Sequence, residues 1–123
     1  MKGICEKKIN PKITLFIYNT LRNLGLYSNT KGTTIINKAV QLVILNDDEF
    51  FSMEDIYESL TNYYKDMTIT QIRDSIKYAL KHRNEIKCEN NFKNIFGFEY
   101  YEDFFTNKKI IEEIANIIKF EII

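Results

Sequence analysis

Residues 52–83, SMEDIYESLTNYYKDMTITQIRDSIKYALKHR, place apolar side chains at helical spacing twice in succession. Two helices packed through those stripes satisfy the pattern, and a strand does not. After Ser52 the stripe is Ile56, Leu60 and Tyr63, flanked by Tyr57 and Tyr64; after Thr68 it is Ile69, Ile72, Ile76, Ala79 and Leu80. Both starts have a chemical reason. Ser52 precedes Asp55 by three residues, and Thr68 precedes Gln71 by three. In each pair the hydroxyl can accept from an orphan N–H of the first turn while the longer side chain reaches back to the cap. Gln is the better partner, so the start at Thr68 is the firmer one. Lys65, Asp66 and Met67 are left as the turn. Glu54, Asp55 and Glu58 lie near the positive end of the first helix, and Lys81, His82 and Arg83 near the negative end of the second, as the macrodipole favours. Helices near 53–65 and 69–83 joined in this way have the shape of a helix-turn-helix, whose second helix lies in a DNA major groove. A basic final turn also suits an ordinary helix, so the pattern alone fits a plain helical bundle as well.

The rest of the chain reads as helical too. At 123 residues it is expected to form one domain with its own core, and its four glycines and single proline leave room for few tight turns. A first helix is predicted from about Lys12 to Leu24, with Ile13, Phe16, Ile17, Leu21 and Leu24 inward and Gly25 as its stop. A second, from about Thr34 to Leu45, is apolar nearly all round and is expected to be central and buried; Asn46, Asp47 and Asp48 end it. Asn84 to Asn91 reads as a polar loop, and 92–98 as a short helical turn anchored by Phe92, Ile95, Phe96 and Phe98. After a polar and aromatic linker, a last helix from about Asn107 to Lys119 presents Ile110, Ile111, Ile114, Ala115, Ile117 and Ile118. The expected fold class is all-α, a bundle of about six helices.

Several function classes find little support. No apolar run is long enough for a membrane span, and the N-terminus lacks the apolar stretch of a signal peptide, so a cytoplasmic protein is expected. Cys5 and Cys88 lie far apart with no nearby ligand set, and read as bystander thiols; no metal or cofactor is expected. His82, the sole histidine, stands beside Arg83 in a basic turn, where general acid–base chemistry lacks a positioned partner. Glu112–Glu113 and Asp47–Asp48 are adjacent in sequence and point apart. No catalytic residues are expected. The net charge is zero, but the charges are segregated. Residues 1–40 carry seven bases against one acid, 41–66 seven acids against one base, 67–94 six bases against three acids, and 95–123 six acids against three bases. Such blocks can make a bipolar surface with one DNA-facing side, and solvated charges on unrelated faces give the same sequence.

The ordered set of segments resembles a known family. The Leu24-Gly25 to Lys31-Gly32 spacing, TIINKAVQLV, TITQIRDSIKYAL, IFGF and TNKKIIEEIANIIKFE are similar to the C-terminal effector domain of the stage 0 sporulation protein A family of response regulators. The similarity runs from about Leu15 to Glu121; the stretch just before Thr106 is shorter than in the family. The resemblance implies six helices with 68–83 as the DNA-recognition helix and tandem binding to a short promoter box, with a homodimer on DNA. It also implies contact between the following segment and the RNA polymerase sigma subunit. Carried over by position, Gln71, Arg73, Asp74, Lys77 and Tyr78 face DNA. The family has Arg where this chain has Gln71 and Asp74, and Glu where it has Arg73. Lys77 keeps the charge of a usual Arg, and Tyr78 replaces a His.

Those departures change the expected readout. Arg grips guanine through a bidentate fork, whereas Gln prefers adenine and Asp accepts from cytosine N4 or repels phosphate. The expectation is poor recognition of the family's box and a more AT-rich site, with Arg73–Asp74 pairing as the alternative. Lys77, Gln71 and Arg73 are assigned to bases, and Lys81, His82, Arg83 and Lys31 to phosphates. Four to six phosphate contacts imply a salt slope of roughly −4 to −5. Because so few residues precede the first helix, the family's phosphoacceptor receiver domain is expected to be absent. The rival reading is a protein-interaction module that has lost base readout and pairs or competes with a related regulator. It would use the Ile-rich last helix and the tail Phe120, Ile122 and Ile123.

Overall fold

The computed structural model describes residues 10–46 and 52–121, and among them the chain forms six α-helices and one 3-10 turn. These are α1 (Pro11–Asn23), α2 (Lys31–Leu45), α3 (Met53–Leu60), α4 (Ile69–Lys81), α5 (Glu85–Phe96), a 3-10 turn (Glu102–Phe104) and α6 (Asn107–Glu121). Cys5, Asp47, Asp48, Ile122 and Ile123 lie outside the described residues.

Helix α2 is the hub, packed by α1, α3, α4 and α6. Its all-round apolarity explains the position: Ile35, Ile36, Ala39, Val40, Leu42 and Val43 are all buried, so neighbours cover it from several sides. It begins at Lys31, a turn earlier than the sequence suggested, with Gly32 and Thr33 already buried inside it. Gly32 is there for space. A Cβ at that position would lie 2.0 Å from the carbonyl oxygen of Ser75 on α4. The backbones of α2 and α4 therefore meet almost directly. Gly25 serves a different purpose: its φ of +89° turns the chain after α1, and its carbonyl accepts from the Asn84 N–H at 2.8 Å.

Two expectations need correction. Helix α3 stops at Leu60, not near Lys65. Beyond it, Asn62 and Tyr63 donate to Ser59 and Leu60, bonds between residues three apart that tighten and end the helix. Tyr63 thus leaves the buried stripe and is exposed beneath the Lys38 ammonium, while Tyr57 takes the buried place. The connection to α4 is correspondingly longer than a three-residue turn. The supposed polar loop 84–91 is the first two turns of α5, capped by the Asn84 side chain on the Lys87 N–H and stopped by Gly97 at φ +86°. Its buried residues are only Cys88 and Phe92, one turn apart, which is too short a stripe to stand out in sequence. The isoleucines of α6 pack in the core, as in an ordinary amphipathic helix and not as the rival reading would use them: Ile110, Ile111, Ile114 and Ile118 are fully buried. They are not free for a partner, although Phe120 is exposed.

Candidate nucleic-acid interface

Helix α4 divides cleanly into two sides. Ile72, Ile76, Ala79 and Leu80 are buried, and Gln71, Asp74, Lys77, Tyr78, Lys81 and His82 are exposed. Its start is a full capping box. Thr68 Oγ1 accepts from the Gln71 N–H at 3.1 Å, and Gln71 Oε1 accepts from the Thr68 N–H at 2.9 Å. Its seating is fixed by Asn107, the first residue of α6, whose amide donates to the Tyr57 hydroxyl at 2.9 Å and to the Arg73 carbonyl at 3.2 Å. One side chain thus ties α3, α4 and α6 together. Burial pushes the Tyr57 phenol above its usual pKa, so it stays a neutral partner.

The N-terminus of α2 brings Lys31 beside this face. Thr30, Lys31, Gln71, Asp74 and Tyr78 line one open groove of about 560 Å³ between α2 and α4. Tyr78 is held by His82, whose ring stacks on it with centroids 3.9 Å apart. His82 Nδ1 faces the Tyr78 carbonyl at 2.9 Å. A carbonyl only accepts, so Nδ1 carries a proton, and Nε2 can donate outward only in the imidazolium form. Arg73 is half-buried, and its Nε lies 3.8 Å from an Asp74 carboxylate oxygen. That is a loose, solvated pair, the sort worth little in stability.

Arg83 is not where the sequence placed it. Its side chain is only 2 % exposed, and it cannot serve as a phosphate contact on this surface. The guanidinium turns inward instead. Nη1 donates to the Leu80 carbonyl at 2.8 Å, and Nη2 to the Tyr100 hydroxyl at 2.8 Å and to Glu102 at 3.1 Å. Its face lies 3.8 Å from the centre of the Phe105 ring, a cation–π contact. Tyr100 in turn donates to Glu102 at 2.5 Å. Burial and that bond raise the Tyr100 pKa to about 12, while the Tyr100 hydroxyl and then Arg83 hold the Glu102 carboxyl below its ordinary value. Cys88 is buried beside this cluster; burial pushes its thiol up, which keeps it protonated and inert. The cluster escaped the sequence reading because its members are brought together only by the fold. The sole hint was the density of aromatic residues between Phe92 and Phe105.

Among the described residues no group of histidine, cysteine and acidic side chains could hold a metal ion, and no helix is long and apolar enough to cross a membrane. No protein-family model, curated protein or solved structure matches the chain.

Proposed function

We propose that this chain is a sequence-reading, DNA-binding transcription regulator in which α3 and α4 act as a helix-turn-helix. The observation that carries the reading is the outer side of α4. A well-capped helix, seated firmly by its apolar side and by Asn107, presents Lys77, Lys81 and His82 to solvent with Lys31 nearby. Protruding cations on a rigid helix are what major-groove docking requires. Lys77, Gln71 and Arg73 would face bases, and Lys31, Lys81 and His82 phosphates. Contacts to a sigma subunit, through the segment after α4, and a homodimer on DNA belong to the same proposal. They are supported, like a role in sporulation, by the sequence resemblance.

With Arg83 withdrawn, about three to four phosphate contacts remain, and log affinity should fall with log salt at a slope near −3. The test is selection from random duplexes at low salt, with Lys77→Glu as control. Enrichment of one motif, lost in the control, supports the reading. Weak binding without a motif overturns it.

One observation favours the protein-interaction module. Asp74, 66 % exposed, puts a carboxylate in the middle of the face that would approach a polyanion. On that reading Lys77→Glu leaves a protein partner bound.

A further inference from the structure

We infer that Gln71 reads DNA as a hydrogen-bond donor alone, and selects guanine where a free glutamine would select adenine. This deepens the DNA-binding reading above and rests on it.

The argument starts from the capping box. A backbone N–H can only donate, so the atom of Gln71 that meets the Thr68 N–H at 2.9 Å must be the carbonyl oxygen. The reciprocal bond, Gln71 N–H to Thr68 Oγ1 at 3.1 Å, holds the two residues in register. The oxygen is thereby turned back along the backbone, and the amino group is the free end of an exposed side chain. Glutamine grips adenine by accepting from N6–H and donating to N7 together, and that needs oxygen and nitrogen to face the base side by side. Here they do so only if the cap opens. What is left is an NH₂ with two donors. Guanine presents two acceptors, N7 and O6, next to one another, a match no other base offers in the major groove.

Asp74 supplies the complement. It lies three residues on, on the same side of the helix, and lines the same groove. A carboxylate only accepts, and cytosine N4–H₂ is the donor that faces it in a G·C pair. Donor at 71 and acceptor at 74 together suit a G·C pair. The AT-rich preference expected from Gln71 as a free side chain is the one the capping box disfavours.

The experiment is duplex selection with the full chain and two variants. Gln71→Glu keeps an acceptor for the Thr68 N–H but has no donor; Gln71→Lys has donors and no acceptor. The expected result is a guanine in the wild-type motif whose preference, on the order of tenfold, is lost in Gln71→Glu and kept in Gln71→Lys. The melting temperature of Gln71→Glu stays at the wild-type value, because the cap survives. Adenine at the Gln71-dependent position overturns the inference, since the cap must then open on DNA. A wild-type motif unaltered in Gln71→Glu overturns it too, and leaves DNA binding standing. No motif for the wild type removes the DNA-binding reading, and this inference falls with it.

Discussion

Replacing Gly32 with alanine should destabilise the protein, although the site is helical and alanine is the better helix former. The added methyl carbon would lie 2.0 Å from the Ser75 carbonyl oxygen, 2.7 Å from its carbonyl carbon and 2.8 Å from Ala79 Cβ. Real contacts of a Cβ essentially never fall below 3.0 Å, so α4 must back away by about 1 Å. The obstacle is helix backbone, which cannot swing aside as a flexible side chain would. Overpacking typically costs about 1–3 kcal/mol, and the upper end applies here. Helix propensity returns about 1 kcal/mol. The net loss is about 2 kcal/mol, which lowers Tm by roughly 8 °C in a domain of this size. Thermal unfolding followed by circular dichroism at 222 nm measures it. A Tm equal to or above the wild type would show that α2 and α4 do not meet at Gly32, and would refute the reasoning. Gly97→Ala is the contrasting case. Nothing lies within 4 Å of its Cβ, so only its φ of +86° counts, at about 1 kcal/mol.

Arg83→Ala should cost about 3 kcal/mol in chemical denaturation, because it removes the guanidinium's bonds to the Leu80 carbonyl, the Tyr100 hydroxyl and Glu102 and leaves a cavity under Phe105. On the proposed DNA-binding reading, the salt slope for the folded fraction should not change; a shallower slope would put Arg83 back on the surface. Glu102 has a lowered pKa when folded, so its contribution is full above the ordinary glutamate value and is lost as pH falls through the lower, folded value. Glu102→Gln should therefore flatten the acid limb of the stability–pH curve, and an unchanged limb would contradict the pairing. Thr68→Ala removes one half of the capping box and should lower stability by about 1 kcal/mol in urea unfolding.

What could be read from sequence was what depends on neighbours in the chain. The box at Thr68 and Gln71 is local, and so is the apolar circumference of α2; both are found as expected. The end of α3 is hidden in the sequence because no glycine or proline marks it, and Tyr63 and Tyr64 continue the apolar spacing past the point where the backbone tightens. Helix α5 is hidden too, since Ile86 faces solvent and breaks the stripe. Arg83 is the sharpest case. A cation at the end of a basic helix reads as a surface group. Its partners Tyr100 and Glu102 are 17 and 19 residues away, and only the packing of the aromatic segment decides that it turns inward. Exposure of Gln71, Asp74, Lys77, Tyr78 and Lys81 follows from their spacing on α4, but the commitment of the Gln71 oxygen depends on its side-chain rotamer.

The ring of Phe92 is fully buried and has five others around it, those of Phe96, Phe98, Tyr100, Phe104 and Phe105, with centroids 4.9 to 5.8 Å away. In so dense a setting a half-turn about its Cβ–Cγ bond sweeps through space its neighbours occupy. A flip requires these rings, on α5 and on the segment that follows it, to move aside. Its flip rate, read from the exchange of its two edges in a nuclear magnetic resonance spectrum, is therefore a clock for the loosening of the aromatic cluster between Phe92 and Phe105. The same segment holds Tyr100 and Glu102 against Arg83 at the foot of α4, so the flip rate also reports on how firmly that end of α4 is held.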